Sequence, residues 1–231
     1  MAYTNSPLVS YTKLSPNHSG KRTKKIDTIT IHCMAGNCSV ETCGNLFASS
    51  ARQASSNYGI GTDGRIALYV DEANRSWCTS SNANDQRAVT IEVANNGGAP
   101  DWPVSAKAYA ALLDLVTDIC KRNGKKKLLW LGDKNKTLNY SPKSDEMVLT
   151  VHRWFANKSC PGDWMYARMG DLASKVTAQL GGSTAQPSAP STPSTPAAGL
   201  DIGTVVNFVG GKHYTSANAA SGSAAKAGPA K

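Results

Sequence analysis

The sequence predicts an α/β fold, a central mixed β-sheet flanked by helices, and three observations predict it. Apolar runs of strand length recur, at 26–32 and 88–94, rich in β-branched residues. An Asp63-Gly64 pair sits between two further short apolar runs, the strongest local signal for a hairpin. The stretch from Ser105 to Arg122 carries Tyr109, Leu112, Leu113, Val116 and Ile119 at helical spacing. A chain of 231 residues with 40% hydrophobic content can bury one core of ordinary domain size and still carry an appendage.

Residues 1–25 are polar, broken by Pro7, Pro16 and Gly20, and predict irregular chain. Ile26 to His32 alternates and predicts a buried strand with His32 near its end. Ser39 to Ser50 predicts a helix capped by Ser39. Ser55 to Val70 predicts two strands, SNYGIG and RIALYV, joined at Thr62-Asp63-Gly64. Asn74 to Asn84, with Trp77 and Cys78, predicts a loop, and Ala88 to Ala94 a central strand that contains Glu92. The helix 105–122 ends at Asn123-Gly124. Leu128 to Leu131 predicts a short strand and 132–146 a polar loop. Asp163 to Leu180 predicts one closing helix with Met165, Met169, Leu172, Val176 and Leu180 on its apolar face. The predicted sheet thus has five strands, around Ile29, Tyr58, Ile66, Val89 and Leu128.

Prolines at 187, 190, 193 and 196 recur every three residues, a polyproline II pattern. The expected domains are therefore 1–180, a Pro/Ser/Thr-rich linker at 181–198, and a short segment, 199–231, below the length that folds alone.

The formal net charge is +9, which suits a polyanion: nucleic acid, anionic membrane or the teichoic acids of a cell wall. Nucleic acid is disfavoured, because the basic clusters at 21–25 and 121–127 are short and lack interleaved aromatics. No run of 18 apolar residues is present, so no membrane insertion is expected. The first 25 residues lack the basic-then-apolar pattern of a secretory signal, so synthesis in a host cytoplasm is expected. Six cysteines without a CxxC pair point to free thiols.

The chemistry concentrates in Thr150 to Trp164, where His152, Lys158 and Cys160 fall within nine residues before a Pro-Gly turn. An imidazole and a thiol so placed can converge on one metal. Zinc favours N and S ligands, and three protein ligands leave a fourth position open. His32 is the best candidate for the third. Taken alone, a histidine closing a strand is as readily structural, and these residues stop at a zinc hydrolase of an amide or ester.

Four stretches in order, TITIHCMAG (28–36), SSNYGIGTDGRI (55–66), AVTIEVANN (88–96) and HRWFANKSCPGDW (152–164), resemble the zinc-dependent N-acetylmuramoyl-L-alanine amidases that include T7 lysozyme and the peptidoglycan recognition proteins. The resemblance covers most of 27–180 and has the look of a phage endolysin aimed at Gram-positive walls. It implies one Zn2+ per chain held by His32, His152 and Cys160. It implies cleavage of the amide between N-acetylmuramic acid and L-alanine of the stem peptide. It assigns Lys158 to the oxyanion, Tyr58 to orienting the water or substrate carbonyl, and Glu92 to proton transfer, with the share of Tyr58 and Glu92 left open. It places a groove wall at 132–146. Cys33, adjoining His32, is expected to face away along the strand. The segment 199–231 resembles the start of an SH3-like wall-binding domain. A monomer acting on peptidoglycan is expected; the alternative is a recognition module of the same fold that binds without cleaving.

Overall fold

The computed structural model describes residues 3–181 and the backbone of four short strands at 206–208, 211–213, 223–225 and 228–230. In chain order the strands of the first part are β1 (Tyr11–Thr12), β2 (His18–Lys21), β3 (Thr28–Cys33), β4 (Tyr58–Ile60), β5 (Ile66–Leu68), β6 (Asn74–Ser76), β7 (Ala88–Val93), β8 (Lys127–Leu129) and β9 (Glu146–Val151). The helices are α1 (Val40–Ala48), α2 (Asn82–Arg87), α3 (Ala106–Arg122), α4 (Lys134–Leu138), α5 (Asp163–Tyr166) and α6 (Met169–Gln179). Seven strands form one sheet in the order β1-β5-β4-β7-β3-β9-β8; β2 and β6 pair separately. Every neighbouring pair in the large sheet is parallel except β4 with β5, the predicted hairpin. The sheet is mixed, as expected.

The central strands alternate because the two faces of the sheet meet different surroundings. Ile29 and Ile31, Val89, Ile91 and Val93, and Leu149 and Val151 are wholly buried on one face, in the core that includes Leu112, Leu115, Val116 and Ile119 of α3 and Leu172 and Val176 of α6. Each such side chain contributes roughly 1.5–3 kcal/mol by leaving water. The other face carries threonines in register: Thr30 lies opposite Thr90 and Thr150. These buried hydroxyls are satisfied, with Thr30 Oγ1 and Thr150 Oγ1 2.7 Å apart and both bonded to the Asn84 side chain of α2. Thr90 Oγ1 bonds Ser76 Oγ at 2.7 Å.

α1 and α3 begin as predicted. Ser39 and Ser105 accept from the backbone N–H three residues on, each relieving one unpaired donor of the first turn. Four expectations are corrected. The sheet has seven strands, not five; β1 joins its edge, and β9, central and wholly buried, occupies a stretch for which no strand was predicted. The residues expected as loops at 1–25 and 74–84 supply β2 and β6, which pair with each other. The polar segment after Leu131 contains α4. The closing helix is broken into α5 and α6 at Ala167-Arg168, where Arg168 turns back to donate to the Trp164 carbonyl and lies over its ring.

The chain divides into two compact units, Met1–Ala189 and Pro190–Lys231. In the second, β10 (Val206–Phe208) pairs antiparallel with β13 (Gly228–Ala230), and β11 (Gly211–His213) with β12 (Ser223–Ala225). The linker expected at 181–198 and the rest of the SH3-like segment lie outside the described residues, apart from Gly181 and these strands.

Candidate metal centre

Three strands deliver the same short pattern to one edge of the sheet: Thr30-Ile31-His32, Thr90-Ile91-Glu92 and Thr150-Val151-His152. Because β3, β7 and β9 are parallel and their threonines share a register, the last residue of each triplet emerges beyond the polar face at the C-terminal edge. His32 and Glu92 are direct register partners. His152 opens a 3-10 turn immediately after β9. The chain then folds back: the Arg153 N–H donates to the Cys160 carbonyl at 3.1 Å, and the Arg153 guanidinium holds the Ser159 carbonyl and Asp163. This closes the loop that presents Cys160. Gly162 completes the turn at φ 89°, where a Cβ would come within 2.6 Å of the Asp101 carbonyl oxygen.

One ligand atom from each of His32, His152 and Cys160 lies within 4.8 Å of the others. Cys160 Sγ is 3.4 Å from His32 Nδ1, and the two imidazole centroids are 4.9 Å apart. The Nε2 atoms of His32 and His152 are buried without a hydrogen-bond partner. Buried imidazole nitrogens beside a thiol, with no partner of their own, are a donor set suited to zinc. The residues fit the ion the resemblance implies. Burial, then the neighbouring His152, hold the pKa of His32 well below 6.5; burial, then Lys158, lower that of His152. Both rings are thereby kept neutral, as ligation requires. The Cys160 thiol is pushed up by its hydrogen bond with the Cys33 side chain, then by burial and Glu92. A cation among these donors would oppose that push. So does the Cys33 backbone N–H, which donates to Cys160 Sγ at 3.3 Å.

Cys33 is thus beside Cys160, and the expectation that it faces away from the site is corrected: the loop that presents Cys160 brings that sulfur to the backbone N–H and thiol of Cys33. It is outside the ligand group. Glu92 does join the site, its Oε1 4.0 Å from His32 Nδ1 and its Oε2 buried without a partner. Burial pushes its carboxyl up to about 7, against a weaker pull from Arg52. Lys158 is exposed on the loop between His152 and Cys160, close enough for its charge to disfavour a proton on His152.

Tyr58 is not brought to the cluster. It pairs with Ile91 and therefore points to the apolar face, away from Glu92. Its hydroxyl donates to Glu72 Oε1 at 2.6 Å and accepts from the Ser6 N–H at 2.8 Å. Arg122 grips the same carboxylate with both terminal nitrogens, at 2.5 and 3.0 Å. The role the resemblance assigned to Tyr58 is corrected on this geometry. The sequence reading also passed over the backbone donor of Cys33 and the threonine layer; the thrice-repeated Thr-[Ile/Val]-[His/Glu] was the available signal for the latter.

A cleft of about 350 Å³ opens on the cluster, lined by Phe47, Arg52, Trp77, Glu92 and His152 among others. A second, of about 500 Å³, is lined by Asn84, Arg87, Thr137, Tyr140, Trp154 and Phe155 and by none of His32, Glu92, His152 or Cys160, so the 132–146 segment walls that second cleft.

The profile of the N-acetylmuramoyl-L-alanine amidases matches residues 22–163, more than half of the chain and all of the elements that carry the cluster. The chain belongs to the N-acetylmuramoyl-L-alanine amidase family. Its enzyme class is that of the family, a peptidoglycan amidase. No curated protein matches it in sequence. Among solved structures, PlyL superposes with a TM-score of 0.51 at 16% identity, covering 72% of this chain and 95% of PlyL. The Drosophila peptidoglycan recognition protein PGRP-SA gives 0.51 at 17% identity, covering 70% and 91%. At these identities the likeness is one of fold.

Proposed function

We propose that this amidase is a phage endolysin that uses one zinc ion to cleave the amide between N-acetylmuramic acid and L-alanine in Gram-positive peptidoglycan. The observation that carries the reading is the convergence of two neutral imidazoles, each with a buried and unpartnered Nε2, and one thiol at the end of parallel strands. His32, His152 and Cys160 would hold the metal. When bound, zinc lowers the pKa of a water and polarises the scissile carbonyl. The chain's own residues supply the rest. The Cys33 N–H steadies the Cys160 sulfur as a thiolate. Glu92, with one oxygen free of partners, takes the proton from the attacking water and passes it to the departing alanine nitrogen. Lys158 offers its ammonium to the oxygen that gains charge as the carbonyl becomes tetrahedral. The cleft lined by Phe47, Arg52, Trp77, Glu92 and His152 seats substrate beside the reacting bond. All these residues fall within 1–180, and 199–231 is assigned to wall binding across a Pro-rich spacer.

The test is zinc content and wall hydrolysis measured together on the full chain and on Cys160→Ser. The expected result is about one zinc per chain, with release of L-alanine amino termini, no new reducing sugar ends, and loss of both zinc and release in the variant. Walls bound without release, and no zinc, would make the protein a recognition module instead.

A further inference from the structure

The same topology that gathers the metal ligands at one edge of the sheet gathers lysines at the other. β3, β8 and β9 run parallel, so the residues that lead into them share the N-terminal edge. Lys24 and Lys25 precede β3, Lys125 and Lys126 precede β8, Lys127 begins it, and Lys143 lies just before β9. Lys25 and Lys125 line one cavity of about 390 Å³ together with Arg122 and Ser144. None of the six ammonium groups makes an ion pair among the described residues; Lys125 Nζ donates to the Ser144 carbonyl at 3.0 Å.

The acids of this edge are already committed. Asp27 is held by both Arg87 nitrogens, and Glu72 and Asp118 are paired with Arg122. Glu146 accepts from the Tyr140 hydroxyl and the Lys143 N–H. Glu146 keeps its charge and Arg122 offsets one of its two acids, so with Asp145 three net negative charges remain against six lysines. The guanidinium forks are spent on internal carboxylates, and what faces solvent is a set of mobile point charges. Lysine ammonium groups suit phosphates of a flexible polymer, where no fixed planar geometry has to be matched. The exposed large apolar side chains, Leu8, Leu14, Leu46 and Leu138, belong to other segments, so the patch has no wedge for a bilayer. The aromatic ring that lines its cavity, Tyr3, is half-buried and held by the Ile26 N–H, which donates to its hydroxyl, so it offers a nucleobase no open stacking platform.

We infer that the N-terminal edge of the parallel strands is a docking surface for a phosphodiester polyanion, the teichoic acid of the Gram-positive wall. The inference rests on the wall-hydrolase reading for its choice of partner. Because the surface lies at the edge opposite His32, Glu92 and His152, a bound polymer leaves the reactive groove open to peptidoglycan. Charges there raise the rate of encounter with the wall and weaken with salt.

The experiment compares the full chain with Lys25→Gln/Lys125→Gln/Lys126→Gln and with a charge-matched control, Lys107→Gln/Lys136→Gln/Lys175→Gln. Retention is measured on purified walls before and after chemical removal of teichoic acid, across a salt series, alongside hydrolysis of a small soluble muramyl peptide. The patch variant is expected to lose roughly tenfold in affinity for intact walls, as the loss of three surface charge contacts allows. The control should stay within about twofold, since its contacts are the weak surface kind. Stripped walls should bind wild type and patch variant alike. Both variants should cleave the soluble peptide at the wild-type rate. Equal retention of the patch variant, or wild-type binding undiminished on stripped walls, would overturn the inference. Tighter binding to duplex DNA or to phosphatidylglycerol vesicles than to intact walls would overturn the choice of partner. Failure of wild type to cleave the soluble peptide, with the retention pattern intact, would sink the amidase reading and leave the surface standing.

Discussion

His32 and Glu92 face each other across the β3–β7 ladder, with Nδ1 and Oε1 4.0 Å apart. That places a carboxylate beside the group of His32, His152 and Cys160 but outside it, and the proposed function gives it proton transfer in place of metal holding. Glu92→Gln keeps the shape and removes the base. Turnover is expected to fall by about 10²–10⁴ while zinc content stays at the wild-type level. A base must be ionised to accept a proton, and burial pushes this one up to about 7. Wild-type turnover should therefore decline as pH drops near or below 7, and the residual rate of the variant should lose that limb. Zinc lost along with activity would instead make Glu92 a ligand.

Lys158, proposed as the oxyanion donor, sits on an exposed loop, so its replacement should leave the fold intact. Lys158→Ala is expected to lower kcat by about 10²–10³, the usual cost of one oxyanion donor, with little change in KM. Lys158→Arg keeps the charge and should recover part of the loss. Steady-state kinetics on a soluble muramyl peptide checks this, and an effect confined to KM would make the residue a substrate anchor.

The strands and helices most legible in the sequence were those whose apolar and polar residues alternate with a period. Ile26 to His32, Ala88 to Ala94 and the 105–122 helix each show a period, and each formed with its cap or edge in place. β9, like β3, is buried on both faces, but its apolar run Met147-Val148-Leu149 lacks the alternating threonines of β3. Glu146 to Val151 then shows no clean alternation, only a short apolar run after a polar segment. The closing helix looked continuous because Met165 and Met169 keep helical spacing across a break made by Arg168 folding back onto Trp164. His32, His152 and Cys160 were legible from residue chemistry together with resemblance. Tyr58 was misplaced because residue type was weighed and strand parity was not: its partner Ile91 is one residue away from Glu92, and one residue changes the face.

Tyr58 is accordingly a stability residue. Its hydroxyl is one of the partners of the wholly buried Glu72, which also neutralises Arg122. Tyr58→Phe removes that donor and leaves the carboxylate under-bonded. We expect a loss of about 1–3 kcal/mol in urea unfolding, with kcat on the soluble substrate unchanged. A fall in kcat at unchanged stability would restore the catalytic role.

The last prediction concerns acid and the metal-stripped protein. His32 is wholly buried and its pKa is held well below 6.5 by burial and by His152. In the unfolded chain the same imidazole takes up a proton as pH falls through about 6.5. Between those two values the unfolded state binds the extra proton and the folded state does not. Stability is therefore full above pH ~6.5 and drains away below it, by about 1.4 kcal/mol per pH unit for this one group. Chelator-treated wild type should lose more stability between pH 7.5 and 5.5 than chelator-treated His32→Gln, which has no imidazole to protonate. Urea unfolding of both at several pH values measures the difference directly, and carboxylates common to the two chains cancel. Parallel curves would mean that the buried ring is already charged in the folded protein, and that the neutral ligand the metal centre requires is made only when the metal arrives.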